Sequence, residues 1–484
     1  MLPSDNRPEV QPERSPASDN PRPQTEHEEQ IDTSLQLLAI QHVMLPSVNH
    51  PETLPEQSPA NDSPEPEIDD EDHIDMASDC SSSVYSDSSS LVYDHEPFES
   101  FQAKVLDFAV TILNGIDTND IEVTRMKGGG FNRIIGISRK GSAQEKSAEY
   151  VLRIPRFDAA RLDQDVAALI YVKKLGNIPV PDIIAFDETS NNKLGDPYMV
   201  QKKLAGTVLL STFPDLDLNQ KMCVATELGR VFNRMLSKKT TVAGKLILPP
   251  HVNKIGDMND EISLEPLFQA ELPTLDLLEP NLATRDLLSR IFEERKIQNM
   301  RNCPANTIRP WLSEQFTVMA NELHDDGWFA SNQVSLCHLD FEPRNILINT
   351  ARNAAQPIIS GILDWDSAAL APSFMSCAPP LWIWAWADDE EEDERTANDV
   401  PPTEEGRALK NAFEEAAGAE FVRYAYPSAY RLARRLIRFA IDGQRSNEDL
   451  KEAESMLTEW KEIRVGSAVE TSWWQAERKK DIDR

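Results

Sequence analysis

Long apolar runs are missing from this sequence of 484 residues, and positive charge is scarce. No stretch approaches the roughly 18 consecutive apolar residues of a transmembrane helix, so the sequence predicts none. The first residues include neither a basic nor an apolar segment, which argues against a secretory signal. The net charge of −32, from 49 basic and 81 acidic side chains, disfavours nucleic acid and anionic membranes as partners.

Cysteines are also few and widely spaced. The five are Cys80, Cys223, Cys303, Cys337 and Cys377. They form no C-x-x-C pair, and their number is odd. This pattern favours reduced thiols over a disulfide framework or a zinc site, and we therefore expect a cytoplasmic protein.

The negative charge is concentrated near the start of the chain. Residues 1–100 hold 23 acids against three arginines, a net of −20, so the other residues share −12. Residues 1–97 also contain 13 of the 33 prolines, and such a segment cannot bury enough apolar surface to offset the entropy of ordering. We expect a disordered acidic tail over residues 1–97.

Two features of this tail could have a function. The apolar patch 35–45 is typical of a short partner-binding helix, and the serine-rich tract 81–90 offers sites to a regulatory kinase. Solvated low-complexity sequence is the simpler interpretation of both features.

From Phe98 onward the apolar residues become periodic, first at helical and then at strand spacing. The N-terminal part is predicted to contain helices over 101–113 and 161–175 and strands over 121–126, 134–139, 149–154, 182–187 and 198–204. After residue 215 the pattern is mostly helical, with helices over 217–237, 279–299, 309–325, 405–416, 428–441 and 447–464 and a strand-loop-strand near 334–366. The sequence thus predicts an α+β fold with a small β-rich N-lobe (98–205), a larger helical C-lobe (206–465) and a flexible C-terminal tail (466–484).

The strongest chemical signal is an H-x-D-x-x-x-x-N motif formed by His338, Asp340 and Asn345, which leads into an apolar strand. A second strand, over 358–363, ends at Asp364. Phosphoryl transfer from Mg·ATP needs a carboxylate that orients the attacking hydroxyl and accepts its proton, together with oxygen ligands for Mg²⁺. A carboxylate, an amide five residues later and a second carboxylate after the next strand supply these groups.

This region resembles the aminoglycoside phosphotransferase family of kinase-like proteins, and especially its fungal branch. The runs H-L-D-F-E-P-R-N and I-L-D-W-D are similar to the catalytic and metal-binding motifs of that family. The order of elements from Ile121 and the segment Cys-Ala-Pro-Pro-Leu-Trp agree as well, so the resemblance spans roughly residues 100–465. It implies a protein-kinase-like two-lobe fold.

The resemblance also implies roles for single residues. Asp340 would be the catalytic base and His338 a scaffold for the catalytic loop. Asn345 and Asp364 would be the Mg²⁺ ligands. Asp366 is better explained as a solvated or helix-capping carboxylate than as a third ligand.

A run of three glycines, Gly128, Gly129 and Gly130, lies between two predicted strands, where kinase-like folds cover the triphosphate. Glycine allows backbone N–H groups to approach phosphate oxygens closely, although such runs are more often simple turns. Kinases place a lysine on the next strand and pair it with a glutamate on the following helix. Here the corresponding residues are Arg153 and Asp165, which predicts either a compensated Arg–Asp pair or a weakened nucleotide site.

Two further segments resemble parts of the family without being diagnostic. Tyr198–Gly206 is similar to the hinge between lobes, whose backbone would hold adenine. The acidic run Asp388–Glu394 follows a tryptophan-rich segment, and in aminoglycoside-modifying relatives an acidic pocket receives a polycation. A solvated surface run and packed core tryptophans are the commoner meanings of these patterns.

The predicted activity is ATP- and Mg²⁺-dependent phosphorylation of the hydroxyl of a small molecule. An ordinary protein kinase is improbable, because Glu342 occupies the position of a lysine two residues after the catalytic aspartate and neither D-F-G nor A-P-E follows. The alternative is a pseudokinase or nucleotide-independent protein that binds partners through the acidic tail. Arg153 and Asp165 favour that alternative, whereas the intact acidic and amide positions of the catalytic motifs oppose it.

Overall fold

The computed structural model describes residues 96–113, 116–126, 131–140, 149–157, 161–257, 261–268, 276–302, 310–351, 356–386, 393–444 and 446–482. All of these residues belong to the unit Cys80–Arg484. The predictions for residues 1–95, including the patch 35–45 and the tract 81–90, and for Gly128–Gly130 lie outside them. No helix in this described part has the length and apolarity needed to cross a bilayer.

Alternating apolar residues build a five-stranded antiparallel sheet in the N-lobe, with spatial order β1-β2-β3-β5-β4. Its strands are β1 (Ile121–Arg125), β2 (Asn132–Arg139), β3 (Glu149–Pro155), β4 (Ile183–Asp187) and β5 (Tyr198–Lys202). Ile135 and Leu152 face each other on β2 and β3 and are fully buried. Helix α1 (Phe98–Ile112) covers this face. Because neighbouring side chains on a strand point to opposite faces, Arg153 lies on the other face of the sheet.

Helix α2 (Leu162–Leu175) joins the N-lobe to the main core of the molecule. Val166, Leu169 and Val172 recur at helical spacing, and all three are buried in this core. The same helix buries one acidic side chain, Asp165, in its first turn. A carboxylate at this end of a helix interacts favourably with the helix dipole.

The chain leaves the N-lobe at Gly206, which has a φ of +137°. A Cβ atom at this position would lie 2.5 Å from both the carbonyl oxygen of Ile348 and the Oγ of Ser360. Strand β6 (Thr207–Val208) follows and pairs with β10 (Ile346–Ile348), which pairs in turn with β11 (Ile359–Ile362). Glycine is therefore required for the connection between the lobes to run this close to β10 and β11.

Helices dominate the C-lobe, as the sequence predicted. They are α3 (Leu209–Thr212), α4 (Leu218–Ser237), α5 (Thr284–Asn302), α6 (Pro310–Asp325), α7 (Glu404–Ala425), α8 (Ser428–Asp442) and α9 (Asn447–Ile482). Helices α4 and α7 approach closely at Gly229, where a Cβ atom would lie 2.5 Å from the carbonyl oxygen of Phe413. A β-rich N-lobe beside a helical C-lobe confirms the predicted α+β two-lobe fold.

The C-lobe also contains a four-stranded sheet that the sequence did not predict. Its spatial order is β8-β7-β12-β9, formed by β7 (Gly244–Ile247), β8 (Ser263–Glu265), β9 (Val334–Cys337) and β12 (Ala369–Pro372). These strands have three or four residues each, too few for a clear period-two pattern, and β7 pairs with a strand far along the chain. Their formation depends on tertiary pairing that local periodicity does not encode.

The end of the described chain is helical. Helix α9 continues to Ile482, through most of the segment 466–484, whose predicted flexibility stays a prediction. The sequence after Gly466 contains no proline and many good helix formers, so nothing in its local chemistry ends a helix that has already begun at Asn447.

Candidate active site

Strand β9 delivers His338 into the core, where the imidazole is buried and fixed through both nitrogens. The N–H of Asp340 donates to Nδ1 at 3.3 Å, so the ring proton is on Nε2, which donates to the carbonyl oxygen of Leu363 at 2.9 Å. Burial lowers the pKa of His338, which keeps the ring neutral. The loop from His338 to Asn345 carries the sequence motif and is called the catalytic loop below. The histidine thereby joins the start of this loop to Leu363, the residue that precedes Asp364.

The Asp340 carboxylate lies in this loop and is partly exposed. The side-chain amide of Asn345 donates to Oδ2 of Asp340 at 2.9 Å and to the backbone carbonyl oxygen of Asp340 at 3.0 Å. A 3₁₀ turn over Pro343–Asn345 brings the amide back to Asp340. Because Asn345 uses its amide nitrogen here, its amide oxygen is left for another partner. On the other side, Arg344 donates to Oδ1 of Asp340 at 2.6 Å.

A second loop carries Asp364, immediately after β11. The N–H of Leu363 donates to the carbonyl oxygen of Asn345 at 2.8 Å, so Leu363 holds the two loops together through both of its backbone groups. Leu339 and Asp364 have φ values of +61° and +64°, in the left-handed region that residues other than glycine seldom adopt. Such backbone conformations persist where surrounding contacts over-determine them, and they cluster at functional sites.

Arg153 connects the two lobes. Its Nη2 lies 3.1 Å from Oδ2 of Asp165 on α2 and 3.3 Å from Oδ1 of Asp364. The side chains of Arg153 and Asp165 are 12% and 5% exposed, whereas that of Asp364 is 42% exposed. Burial opposes the charge on Arg153, but the two carboxylates outweigh it and raise the pKa of the guanidinium. The structure thus brings together the two residues that the sequence paired and adds Asp364 as a third.

Asp366 lies between the buried Trp365 and the exposed Ser367. It is partly buried, and burial, with a smaller contribution from the Asp364 carboxylate, raises the pKa of Asp366 to about 6. Its carboxylate accepts a hydrogen bond from the Oγ of Ser367 at 3.3 Å, and it caps no helix. Asp366 thus keeps some exposure to solvent although its neighbour Trp365 is fully buried, and its interpretation as a solvated carboxylate stays a prediction.

A cavity of about 960 Å³ adjoins the catalytic loop. One part of its wall is aromatic, contributed by Phe232, Phe341, Trp382 and Trp386. Another part is charged and contains the arginines Arg344, Arg434, Arg435 and Arg438 together with the acids Glu342, Asp393 and Glu394. A cavity with an apolar body and convergent polar groups beside the catalytic loop has the features of a small-molecule site.

The acidic run Asp388–Glu394 contributes two described residues to this wall. Asp393 is 2.6 Å from Arg395, and Glu394 is 2.8 Å from Arg434. Both carboxylates are therefore paired within the chain. The other residues of the run lie outside the described part, so the interpretation of the run as solvated surface stays a prediction.

The hinge-like and tryptophan-rich segments contribute mainly to packing. Met199 and Val200 are fully buried on β5, and Trp382 and Trp384 are buried as well. Trp382 nevertheless reaches the cavity wall, so packing and lining are combined in one side chain.

Sequence reasoning missed several charged residues of the site. Arg344 lies four residues after Asp340, a spacing at which a short helical turn brings side chains together. Arg431, Arg434, Arg435 and Arg438 recur at intervals of three and four along α8, which places them on one face of that helix. This spacing was visible in the sequence and could have identified an arginine-bearing wall.

Two lobes joined by a short connection, with a catalytic loop and a second carboxylate-bearing loop facing the N-lobe strand that carries Arg153, define a kinase-like phosphotransferase. The sequence model of the phosphotransferase enzyme family matches residues 139–405, and the chain belongs to this family. A search of curated proteins found no match.

Solved aminoglycoside phosphotransferases are similar to the chain at low sequence identity. A thermostable mutant of aminoglycoside phosphotransferase APH(4)-Ia in its apo form is 16% identical with a TM-score of 0.41, over 74% of this chain and 98% of that one. The GDP complex of wild-type aminoglycoside 2'-phosphotransferase-IIIa is 14% identical with a TM-score of 0.40, over 74% and 99%. The streptomycin–ATP–APH(2")-IIa ternary complex is 12% identical with a TM-score of 0.38, over 74% and 96%.

Proposed function

We propose that the protein transfers the γ-phosphoryl group of ATP to the hydroxyl of a small molecule in the presence of Mg²⁺. The observation that carries this proposal is that hydrogen bonds of His338 and Asn345 to the backbone of Leu363 hold the loop with Asp340 next to the loop with Asp364, while Asn345 also binds the Asp340 carboxylate. Phosphoryl transfer depends on positioning and on charge stabilisation, and this assembly provides fixed groups for both.

Asp340 is the proposed catalytic base. Its carboxylate is partly exposed and is held by Asn345, while His338 fixes the backbone of the loop. The acceptor hydroxyl donates a hydrogen bond to Asp340, which orients its oxygen toward the γ-phosphorus. As the new O–P bond forms, the bond from the γ-phosphorus to the bridging oxygen breaks, ADP leaves, and the hydroxyl proton passes to Asp340.

Asn345 and Asp364 are the proposed metal ligands. An amide oxygen and a carboxylate are hard oxygen donors of the kind that Mg²⁺ prefers, and Mg²⁺ commonly takes one or two protein ligands and completes its shell with phosphates and water. The donor set fits this pattern, since Asn345 uses its amide nitrogen on Asp340 and keeps its oxygen for a ligand, and the Asp364 carboxylate is 42% exposed. When bound, the ion would neutralise the charge of the terminal phosphates.

Arg153 is the proposed phosphate ligand in place of the usual lysine, with Asp165 as its partner. Its Nε is buried and has no hydrogen-bond partner among the described residues, which makes it a donor suited to a phosphate oxygen. The predicted phosphate-covering role of Gly128, Gly129 and Gly130 belongs to the same proposal. Membership of the fungal branch of the family and a cytoplasmic location stay predictions.

A pseudokinase or nucleotide-independent interaction protein is the second candidate. The contact between Arg153 and Asp364 favours it, because a guanidinium bound to Asp364 competes with a metal for that carboxylate. An acidic-tail partner would belong to this second candidate.

Replacing Asp340 by asparagine tests the proposed chemistry. The amide keeps the size of the side chain but accepts no proton, so we expect phosphoryl transfer to fall by about a thousandfold while Mg·ATP affinity changes by less than about threefold. The measurement is turnover of γ-labelled ATP with a panel of hydroxylated small molecules. Asp399→Asn, a change at an exposed carboxylate outside this assembly, is the matched control. Undiminished transfer in the Asp340→Asn protein would rule out Asp340 as the base.

A further inference from the structure

The cavity beside the catalytic loop presents guanidinium groups that reach solvent. The side chains of Arg344, Arg435 and Arg438 are 56%, 26% and 48% exposed. Arg344 comes from the catalytic loop, whereas Arg435 and Arg438 lie three residues apart on α8 and therefore share one face of the helix. The arginines thus converge on one space from two elements.

The protein partners of the two α8 arginines occupy only part of their hydrogen-bonding capacity. The Nε of Arg435 donates to Glu452 at 2.9 Å. Arg438 donates through Nη1 to the carbonyl oxygen of Leu339 at 3.0 Å, and its Nε lies 3.5 Å from Asp442. A guanidinium has five N–H donors in a planar fork, so each arginine retains donors for a ligand in the cavity. Neither Glu452 nor Asp442 lines the cavity.

The acids of the described wall do not cancel this positive charge. Asp393 and Glu394 are already paired with Arg395 and Arg434, which neutralises them locally. Glu342 is the third acid of the wall, which contains four arginines. The described wall therefore has one more basic than acidic side chain, and its net charge toward a ligand is positive.

The aromatic part of the wall is apolar, in contrast to the charged part. Phe232 and Phe341 pack with ring centroids 4.8 Å apart, and Trp382 and Trp386 both pack against Phe213. These rings are held in place by one another and offer a rigid apolar surface. A ligand that used both parts of the wall would combine an apolar or aromatic body with an acidic group.

Building on the proposed phosphotransferase function, we propose that the acceptor is an anionic alcohol. Its carboxylate or phosphate binds Arg435 and Arg438, its apolar body lies against the aromatic wall, and its hydroxyl is directed toward Asp340. Arg438 already contacts the backbone oxygen of Leu339, the residue before the base, so an anion held there is anchored next to the reacting hydroxyl. This acceptor is opposite in charge to a polycation.

A set of probes that differ mainly in their charged group tests the proposal. The probes are 4-(hydroxymethyl)benzoate, 4-(hydroxymethyl)phenyl phosphate and the cation 4-(hydroxymethyl)benzylamine, titrated by calorimetry into the full chain saturated with Mg·ADP. We expect at least one anion to bind about tenfold more tightly than the amine. The comparison of the two anions distinguishes a carboxylate from a phosphate acceptor.

Variants of the two α8 arginines connect that preference to the cavity. The double change Arg435→Gln/Arg438→Gln should reduce the anion preference to about twofold or less, whereas Arg435→Lys/Arg438→Lys should keep part of it because the charge remains. The Lys pair also supplies a folded comparison if the Gln pair is unstable. The matched control is Arg290→Gln, which removes an arginine that is 34% exposed and ion-paired with Glu279 but does not line the cavity.

The outcomes separate this proposal from the one on which it rests. If the folded chain binds no Mg·ADP, the phosphotransferase proposal itself fails. If Mg·ADP binds but the amine is preferred, no probe binds, or the anion preference survives in the Gln pair, only the anionic acceptor is overturned.

Discussion

Arg153 is the residue on which the proposed nucleotide site depends most. It is almost fully buried and contacts Asp165 from its own lobe and Asp364 from the other. Removing one member of a buried ion pair leaves an uncompensated charge, which is more damaging than the net strength of the pair suggests. We therefore expect that binding depends on whether the lengths of the two side chains match, and less on whether the pair is Arg–Asp or Lys–Glu.

A double change at this pair tests whether an Arg–Asp pair replaces Lys–Glu. Arg153→Lys alone leaves the cation short of Asp165, and Asp165→Glu alone crowds the longer guanidinium. We expect each single change to weaken Mg·ATP binding by about tenfold and the double change to restore it to within about threefold of the original. The measurement is calorimetric titration of Mg·ATP into each protein, with Arg290→Lys, a change at a partly exposed arginine paired with Glu279, as control. A double variant that binds worse than either single variant would contradict the account.

At the scale of single residues, the sequence predicted contacts between residues that are close together along the chain. The spacing of His338, Asp340 and Asn345 was sufficient, since a loop and one 3₁₀ turn bring them together. The contact between Arg153 and Asp364 was not predictable in the same way, because it joins residues 211 positions apart.

Among the elements, helix α2 links the two lobes through its first turn. Arg161, at the residue before the helix, contacts Glu265 on β8 at 3.3 Å, and Gln164 donates to the same carboxylate at 2.9 Å. The hairpin of β7 and β8 thus holds the end of α2 that carries Asp165. Because β7 continues through β12 to β9, one sheet connects α2 to the catalytic loop.

Glu188, which follows β4, shows that this junction is sensitive to pH. Burial, with added repulsion from Asp163, raises the pKa of Glu188 to about 7. Its Oε1 is buried with no hydrogen-bond partner among the described residues. A carboxyl whose pKa is higher in the folded state than its ordinary value of 4.5 favours folding at low pH, and this contribution is lost as pH rises through about 7.

Glu188→Gln removes the charge at every pH. We expect the variant and the original protein to be similarly stable at pH 4.5–5, and the variant to be more stable by about 1 kcal/mol at pH 8, a value reduced for solvent screening of a partly exposed group. The measurement is the free energy of unfolding in denaturant at intervals across this range. Glu122→Gln, at an exposed position on β1, is the control. A difference that does not change with pH would show that Glu188 titrates normally.

The predictability of an element follows its length and periodicity. Helix α4 was predicted over 217–237 and occupies Leu218–Ser237, and α6 was predicted over 309–325 and occupies Pro310–Asp325. Helix α7 continues to Ala425, beyond the predicted end at 416, across a kink at Gly418. The short strands β7, β8 and β12 were missed because their pairing is tertiary.

For the whole molecule, the central feature is that the ends of β3 and β11, from different lobes, meet at an ion pair. The sequence predicted two lobes and the candidate site residues that each lobe contributes. It did not predict the composition of the neighbouring cavity, because the lining residues come from α3, α4, the catalytic loop, the segment after β12 and α8. Only the folded chain brings them together, so the sequence could indicate the arginine-bearing face of α8 but not the cavity that this face lines.

Titration calorimetry of ATP into the full chain, with and without Mg²⁺ and with Asp364→Asn as the comparison, tests the central claim most directly. The account predicts magnesium-dependent binding with a Kd between about 1 μM and 1 mM, weakened by about tenfold or more when Asp364 is replaced or magnesium is withheld. Absence of ATP binding by a folded sample, or binding that neither magnesium nor Asp364 affects, would contradict it and favour an interaction protein.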